Sequence, residues 1–232
     1  DSKRSYIDSE KKIQIVDDIY KVRTVTDTKD TDGNSVSEVY AEAEFYDLTF
    51  SVLKEERTFE AEYPEVAMAY ALTGTEWAVG TVNVRTKRTW TSTEKNALSI
   101  LRNVADLHGG DLVFDCANRL VHLLTVNGKD SGALFAYRKN MKSIQRVVDT
   151  RSLVTRLYAF GADGLTFADI NNGKPYVEDY TYTNEVRIST LDCSSFTNPY
   201  QMKEYAEMRL AQYAKPTISY VLNAMDLSVL TG

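Results

Sequence analysis

The chain has 232 residues, 43% hydrophobic and 26% charged, which suits a globular protein of one domain plus part of a second. Thirty-three acidic against 27 basic residues give a net charge of −6, which argues against a dedicated nucleic-acid binder built on a basic patch. No apolar run approaches the roughly 20 residues that span a bilayer, and residues 1–6 are too polar for a signal peptide.

The chain starts at Asp1 without an initiator Met, which predicts a fragment or a processed form. Lys12-Ile13-Gln14-Ile15-Val16 reads as a strand in need of a partner. A hairpin follows: Tyr20, Val22, Thr24 and Thr26 alternate with charged residues, and Asp30-Thr31-Asp32-Gly33-Asn34 supplies the turn. The return strand carries Val39, Ala41, Ala43 and Phe45 on one face and Glu38, Tyr40, Glu42 and Glu44 on the other. Three strands cannot close a barrel, so this part is expected to be incomplete by itself.

Charge clusters between Leu53 and Glu62 mark the expected boundary. Pro64 then opens a short helix through Ala71 that Gly74 ends, and Trp77 to Val84 is strand-like. Thr91 and Glu94 have capping-box spacing ahead of a second helix whose inner face is Ala97, Leu101, Val104 and Ala105, stopped by Gly109-Gly110. Leu112 to Cys116 and Leu120 to Val126 form a hairpin about Ala117-Asn118. Asn127-Gly128 and Ser131-Gly132 break the chain before alternating segments at 144–148, 153–160, 165–170 and 176–182. Asn198 caps a last helix with Pro199 at its first position. Met202, Ala206, Arg209, Leu210 and Tyr213 trace its inner face, Lys215-Pro216 ends it, and Thr217 to Leu227 returns to strand. The mixed order predicts an α+β fold with mainly antiparallel pairing.

Chemistry is sparse. Cys116 and Cys193 lie far apart without a CxxC and read as two buried thiols, with a disulfide as the alternative. His108 falls at a helix end, where a cationic ring would meet terminal carbonyls, and His122 alternates with Leu120 and Leu124 on a strand. Neither belongs to a metal-ligand pattern. Cys116 with either histidine is the one formal nucleophile–base pair close in sequence, Ser194-Ser195 lies in a plain loop, and no GxSxG elbow is present. Gly109-Gly110 follows a helix instead of opening one, the wrong order for a phosphate cradle. Acidic pairs such as Asp17-Asp18 and Glu55-Glu56 read as solvated faces. Of 15 tyrosines, Tyr176, Tyr180 and Tyr182 share one strand parity, which suits sheet packing, subunit contact or stacking on carbohydrate. No catalytic, metal or cofactor residue is assigned.

Several blocks carry a resemblance. Leu72-Thr73-Gly74-Thr75-Glu76-Trp77-Ala78-Val79-Gly80 resembles the L-x-G-T-x-W-x-V-G element of tail-associated proteins of long-tailed phages and prophages. Residues 109–115 (GGDLVFD) are similar to that family's GGEL-x-F-D step. Residues 137–144 and 149–158 resemble its Y-x-K-N-hydrophobic and TRLYP-x-G segments, with Ala159-Phe160 replacing the commoner Pro-aromatic wording. Residues 171–179 match its N-x-G-x-x-Y-hydrophobic-E/D turn.

The resemblance implies the prophage endopeptidase tail, or minor structural, family and a baseplate-hub-like N-terminal region. By that likeness residues 1–56 are a partial β-barrel hub domain and 57–190 a mixed α/β region. Residues 191–232 are a helix and strand leading into a second, incomplete barrel. It further implies a non-catalytic virion component of the tail tip, homotrimeric in the full-length protein, that forms a ring beneath the distal tail protein. There it would meet the tape-measure protein and support host attachment and DNA exit. A cell-wall peptidoglycan hydrolase and a carbohydrate-binding adhesin are the alternatives. Activity, where the family has it, resides in variable C-terminal extensions.

Overall fold

The alternation of residues 18–43 does fold as a long hairpin, in a computed structural model that describes residues 8–16, 18–29, 31–51, 55–128, 135–137 and 139–224. Asp17, Asp30, Leu53, Ser131-Gly132, Arg138 and the expected strand end at 225–227 lie outside these. The chain divides into two compact units, Asp1–Asn127 and Gly128–Gly232. This division falls at the Asn127-Gly128 break and inside the expected 57–190 segment. Among the described residues six of eight strand pairings are antiparallel and two parallel, so the fold is mixed α+β, mostly antiparallel.

In the first unit β1 (Lys12–Ile15), β2 (Asp18–Lys29) and β3 (Ser35–Ala43) form an open three-stranded sheet, and no sheet among the described residues closes into a barrel. Val22 pairs with Ala41 and Thr24 with Tyr40, which leaves Arg23 as the extra residue of a β-bulge. The guanidinium reaches Glu42 and Glu10, each at 3.2 Å, and Asp47. Asp47 belongs to a 3-10 turn, Glu44–Phe50, that replaces the expected end of the return strand. Phe45 therefore leaves the sheet face and stacks on Phe114, centroids 4.1 Å apart.

The rest of this unit runs β4 (Arg57–Glu62), α1 (Pro64–Leu72), β5 (Ala78–Val82), β6 (Arg88–Ser92), α2 (Ala97–His108), β7 (Asp111–Asp115) and β8 (Leu120–Leu124). The paired strands β4 and β6 were not legible. β4 carries one apolar side chain inward, Phe59, and β6 buries Arg88, Trp90 and Ser92. Because Thr91 lies on β6, it cannot cap α2. Asn96 does so, its side chain accepting the Ser99 N–H at 2.9 Å. The core packs Met68, Ala71 and Leu72 of α1 with Leu98, Leu101 and Val104 of α2, α1 lying against β5 and α2 against β7, and Val121 and Leu123 of β8 are buried as well.

The second unit contains β9 (Met141–Asp149), β10 (Arg156–Gly161), β11 (Tyr176–Glu178), β12 (Ile188–Cys193), α3 (Pro199–Tyr213) and β13 (Thr217–Ala224). The sheet order is β11-β10-β12, with α3 packed on it through Met202, Ala206 and Leu210. Asn198 caps α3, accepting from Tyr200 N at 3.0 Å and Gln201 N at 3.2 Å. Residues 165–170 are not the expected strand, because 3-10 turns occupy Ala162–Gly164 and Ala168–Ile170.

β9 and β13 form a separate two-stranded ribbon. Ile144 faces Leu222, Arg146 faces Tyr220 and Val148 faces Ile218 across the ladder, which places all six on one side. Ile144, Leu222, Tyr220, Val148 and Ile218 are 39–56% exposed. A folded monomer seldom leaves a contiguous apolar stripe bare.

Candidate functional site

At the edge of the β11-β10-β12 sheet, register brings distant residues together. Arg156 pairs opposite Glu178 and Tyr158 opposite Tyr176, so all four share a face. Arg156 donates to Glu178 Oε1 from Nε at 2.9 Å and from Nη2 at 2.6 Å. The Tyr180 hydroxyl donates to the same oxygen at 2.7 Å, and Lys174 reaches Oε2 at 3.2 Å. The Arg156 guanidinium also lies over the Tyr176 ring, 4.5 Å from its centroid. Asn171 ties the loop down, its amide donating to Lys174 O at 3.0 Å and Tyr176 O at 2.9 Å.

The electrostatics follow. The Tyr180 and Arg156 hydrogen bonds pull the Glu178 carboxyl down to about 2, well below its ordinary range. The Glu178 carboxylate in turn raises Arg156, Lys174 and Tyr180. Glu178 is thus a fixed anion near neutral pH and a poor proton donor, since general acid catalysis needs a pKa near the working pH. Beside it opens a cleft of about 630 Å3, lined by Asn172, Lys174, Tyr176, Glu178, Asp179 and Thr181 and on the helix side by Glu207, Leu210 and Ala211.

The residues weighed from sequence are placed elsewhere. Cys116 and Cys193 are both free and buried, so the disulfide alternative does not form. Burial pushes Cys116 up and Cys193 up to about 12, far from the thiolate a nucleophile needs. His108 is not the expected cation. It is buried, and desolvation lowers it to about 4. Its Nδ1 lies 3.0 Å from Thr86 O, and the cation meeting the α2 carbonyls is Arg88, whose Nε donates to Leu107 O at 3.0 Å. His122 Nδ1 accepts the Thr81 N–H at 2.8 Å. Cys116 and the two rings therefore each face other partners. Ser194 sits in the turn after β12, its N–H on Asp192. Glu55, Glu56 and Asp18 are exposed. Among the described residues no group of three or more His, Cys, Asp or Glu side chains is placed to hold a metal.

Of the three tyrosines expected on one strand, only Tyr176 lies on it, because β11 ends at Glu178. Tyr180 turns back onto Glu178, and Tyr182 is exposed. The contributions of Arg156, Lys174 and Glu178 were not foreseen. Their meeting depends on pairing between β10 and β11, across a turn-rich loop that carries no periodic signal.

Two family models match the sequence: prophage endopeptidase tail over residues 129–232, and prophage endopeptidase tail domain over residues 51–123. The chain belongs to the phage tail-associated proteins. Similar folds are found among solved structures. They include prophage tail protein gp18 from Listeria monocytogenes EGD-e, at TM-score 0.65 and 14% identity, covering 92% of this chain and 65% of that one. The 43 kDa tail protein of prophage MuSo2 from Shewanella oneidensis aligns at TM-score 0.61 and 12% identity, covering 88% and 61%. The tail protein from Neisseria meningitidis MC58 aligns at 0.64 and 12%, covering 93% and 68%. This chain thus spans less than two thirds of the first two. A comparison with curated proteins finds no match. The family is one of tail structural proteins, and its "endopeptidase" label assigns no catalytic residue in this tail protein. No helix among the described residues is long and apolar enough to cross a membrane.

Proposed function

We propose that this tail component is a non-catalytic hub subunit of the tail tip. In this reading three copies of the full-length protein form a ring beneath the distal tail protein, contact the tape-measure protein, and support host attachment and DNA exit. The observation that carries the reading is the bare apolar side of the β9–β13 ribbon. Two strands alone are marginal in water, so a ribbon with five large apolar side chains exposed on one side calls for further strands or subunits. The open β1-β2-β3 sheet is in the same position, consistent with residues 1–56 and 191–232 each contributing part of a barrel that neighbours complete. A net charge of −6, the same sign as DNA, suits a passage through which nucleic acid slides without sticking.

The test is light scattering on the full-length protein. A trimer is expected, and a persistent monomer overturns the reading. Replacing the facing pair Val148→Glu with Ile218→Lys interrupts the apolar side with charge while a cross-strand ion pair keeps the ribbon. This double variant is expected to dissociate the trimer with its circular dichroism unchanged. Zymography on peptidoglycan should show no clearing; clearing lost on replacing Cys116, His108 or His122 would establish the hydrolase instead.

A further inference from the structure

We propose that the cleft between the β11 segment and α3 is a binding site for a neutral oligosaccharide chain. It goes beyond hub assembly, since every residue involved belongs to one unit of one copy.

The lining limits what the cleft can accept. A phosphate or carboxylate ligand needs uncommitted cations, yet Arg156 and Lys174 both spend their charge on Glu178, from 2.6 to 3.2 Å away. An anion would have to displace that carboxylate from three donors. An extended peptide adding to the edge of β11 would need its backbone groups, but Asn171 already holds the carbonyls of Lys174 and Tyr176. A greasy ligand would strand the amide and carboxylates that dominate the rim.

What remains is a ligand that is uncharged, rich in hydroxyl groups and apolar on its ring faces. Each property has a counterpart. Glu178 Oε2 accepts from Lys174 at 3.2 Å and has a further lone pair for a sugar hydroxyl, while Asp179 Oδ1 is taken by the Thr181 N–H. Asn172, exposed at the loop tip with φ of +52°, offers an amide that both donates and accepts. Ala211 of α3 is exposed, and the edges of the otherwise buried Leu210 and Val177 continue a narrow apolar strip for C–H faces. The Arg156–Glu178–Tyr180 network holds the carboxylate in place before a ligand arrives, which lowers the ordering cost of binding. The volume of about 630 Å3 is in the range of small-ligand sites.

The experiment is ligand-observed NMR and calorimetry on the 232-residue chain with maltohexaose, cellohexaose and chitohexaose, and with inorganic phosphate as the anionic probe. Binding of at least one hexasaccharide is expected, with Kd on the order of 1 mM as for shallow sites. Ala211→Trp plugs the cleft from an exposed helix position without touching the ion-pair network, and should weaken that binding at least tenfold at unchanged melting temperature. Glu178→Gln should weaken it similarly, and Asn172→Gly, which keeps the left-handed backbone, by several-fold. Three results overturn the proposal: no hexasaccharide bound at ~10 mM, roughly ten times that Kd; binding that survives Ala211→Trp; or phosphate bound in place of every sugar.

Discussion

His122 stands opposite a bulge and takes up a backbone N–H within it, that of Thr81. The parallel pairing of β5 and β8 runs Val79↔Val121 and then Val82↔Leu123, so Gly80 and Thr81 stand against His122 alone. The ring accepts Thr81 N–H at Nδ1, and a Cβ on residue 80 would sit 2.6 Å from that ring. Gly80 is therefore needed for space and not for a left-handed backbone. Gly80→Ala should cost about 1–3 kcal/mol by forcing the ring out. His122→Ala alone should cost about 1 kcal/mol, the worth of the hydrogen bond. Combined in one protein, the two should cost less than their sum in urea denaturation; strict additivity would rule out the clash as the cause.

Arg88 is the most deeply buried charge in the first unit, with no exposure at all. Its bond to Leu107 O places a cation at the C-terminal turn of α2, where the helix dipole favours one. Arg88→Met keeps the stem but abandons that carbonyl, and should destabilise the protein by about 1–3 kcal/mol in guanidinium melts. Arg88→Lys should recover part of the loss. A neutral outcome for Arg88→Met would mean that the buried charge costs as much as it contributes.

The capping assignments differ sharply in their consequences. Asn96→Ala and Asn198→Ala should each cost about 1 kcal/mol, because each side chain satisfies an N–H in the first turn of its helix. Glu94→Ala should cost next to nothing, since no box with Thr91 exists. Thermal melts of the three variants give the ranking, and a Glu94 effect as large as that of Asn96 would restore the capping box.

These contrasts show what the sequence could carry. Helix α3 was readable because Asn198 and Pro199 are strong local signals, and the 12–43 hairpin because its alternation is long. β6 was hidden because the residue opening its buried face is an arginine, and a charged side chain breaks the apolar pattern even when it is fully buried. Residues 165–170 alternate well enough for a strand. However, Asp163-Gly164 and Asn172-Gly173, all at positive φ, curl the flanking chain into turns. The Arg156–Glu178 cluster needed a pairing register that composition does not encode. The family blocks, by contrast, were legible as wording, and the structural likeness supports the mixed α+β tail-protein fold they imply, while the partial hub barrels stay part of the proposal.

The pH dependence of stability separates two ionisable groups by their windows. His108 titrates at about 4 when folded, against an ordinary value of 6.5. Between these limits the unfolded chain binds the proton and the folded one refuses it, so the His108 contribution is fully present above about pH 6.5 and falls as pH drops toward 4. The loss from pH 7 to pH 5 should be about 2 kcal/mol in urea denaturation. His108→Asn, which can still donate to Thr86 O, should flatten this window. Glu178, also depressed, acts with the same sign in a lower window: its contribution holds above its ordinary 4.5 and is lost only as pH falls toward about 2. The Arg88 charge is a lesser cause of the low His108 value, after burial. Arg88→Met should therefore raise the His108 titration seen by NMR while leaving it below 6.5. A ring that titrates at 6.5 or above in the folded wild-type protein would overturn this account of a buried, neutral His108 at the end of α2.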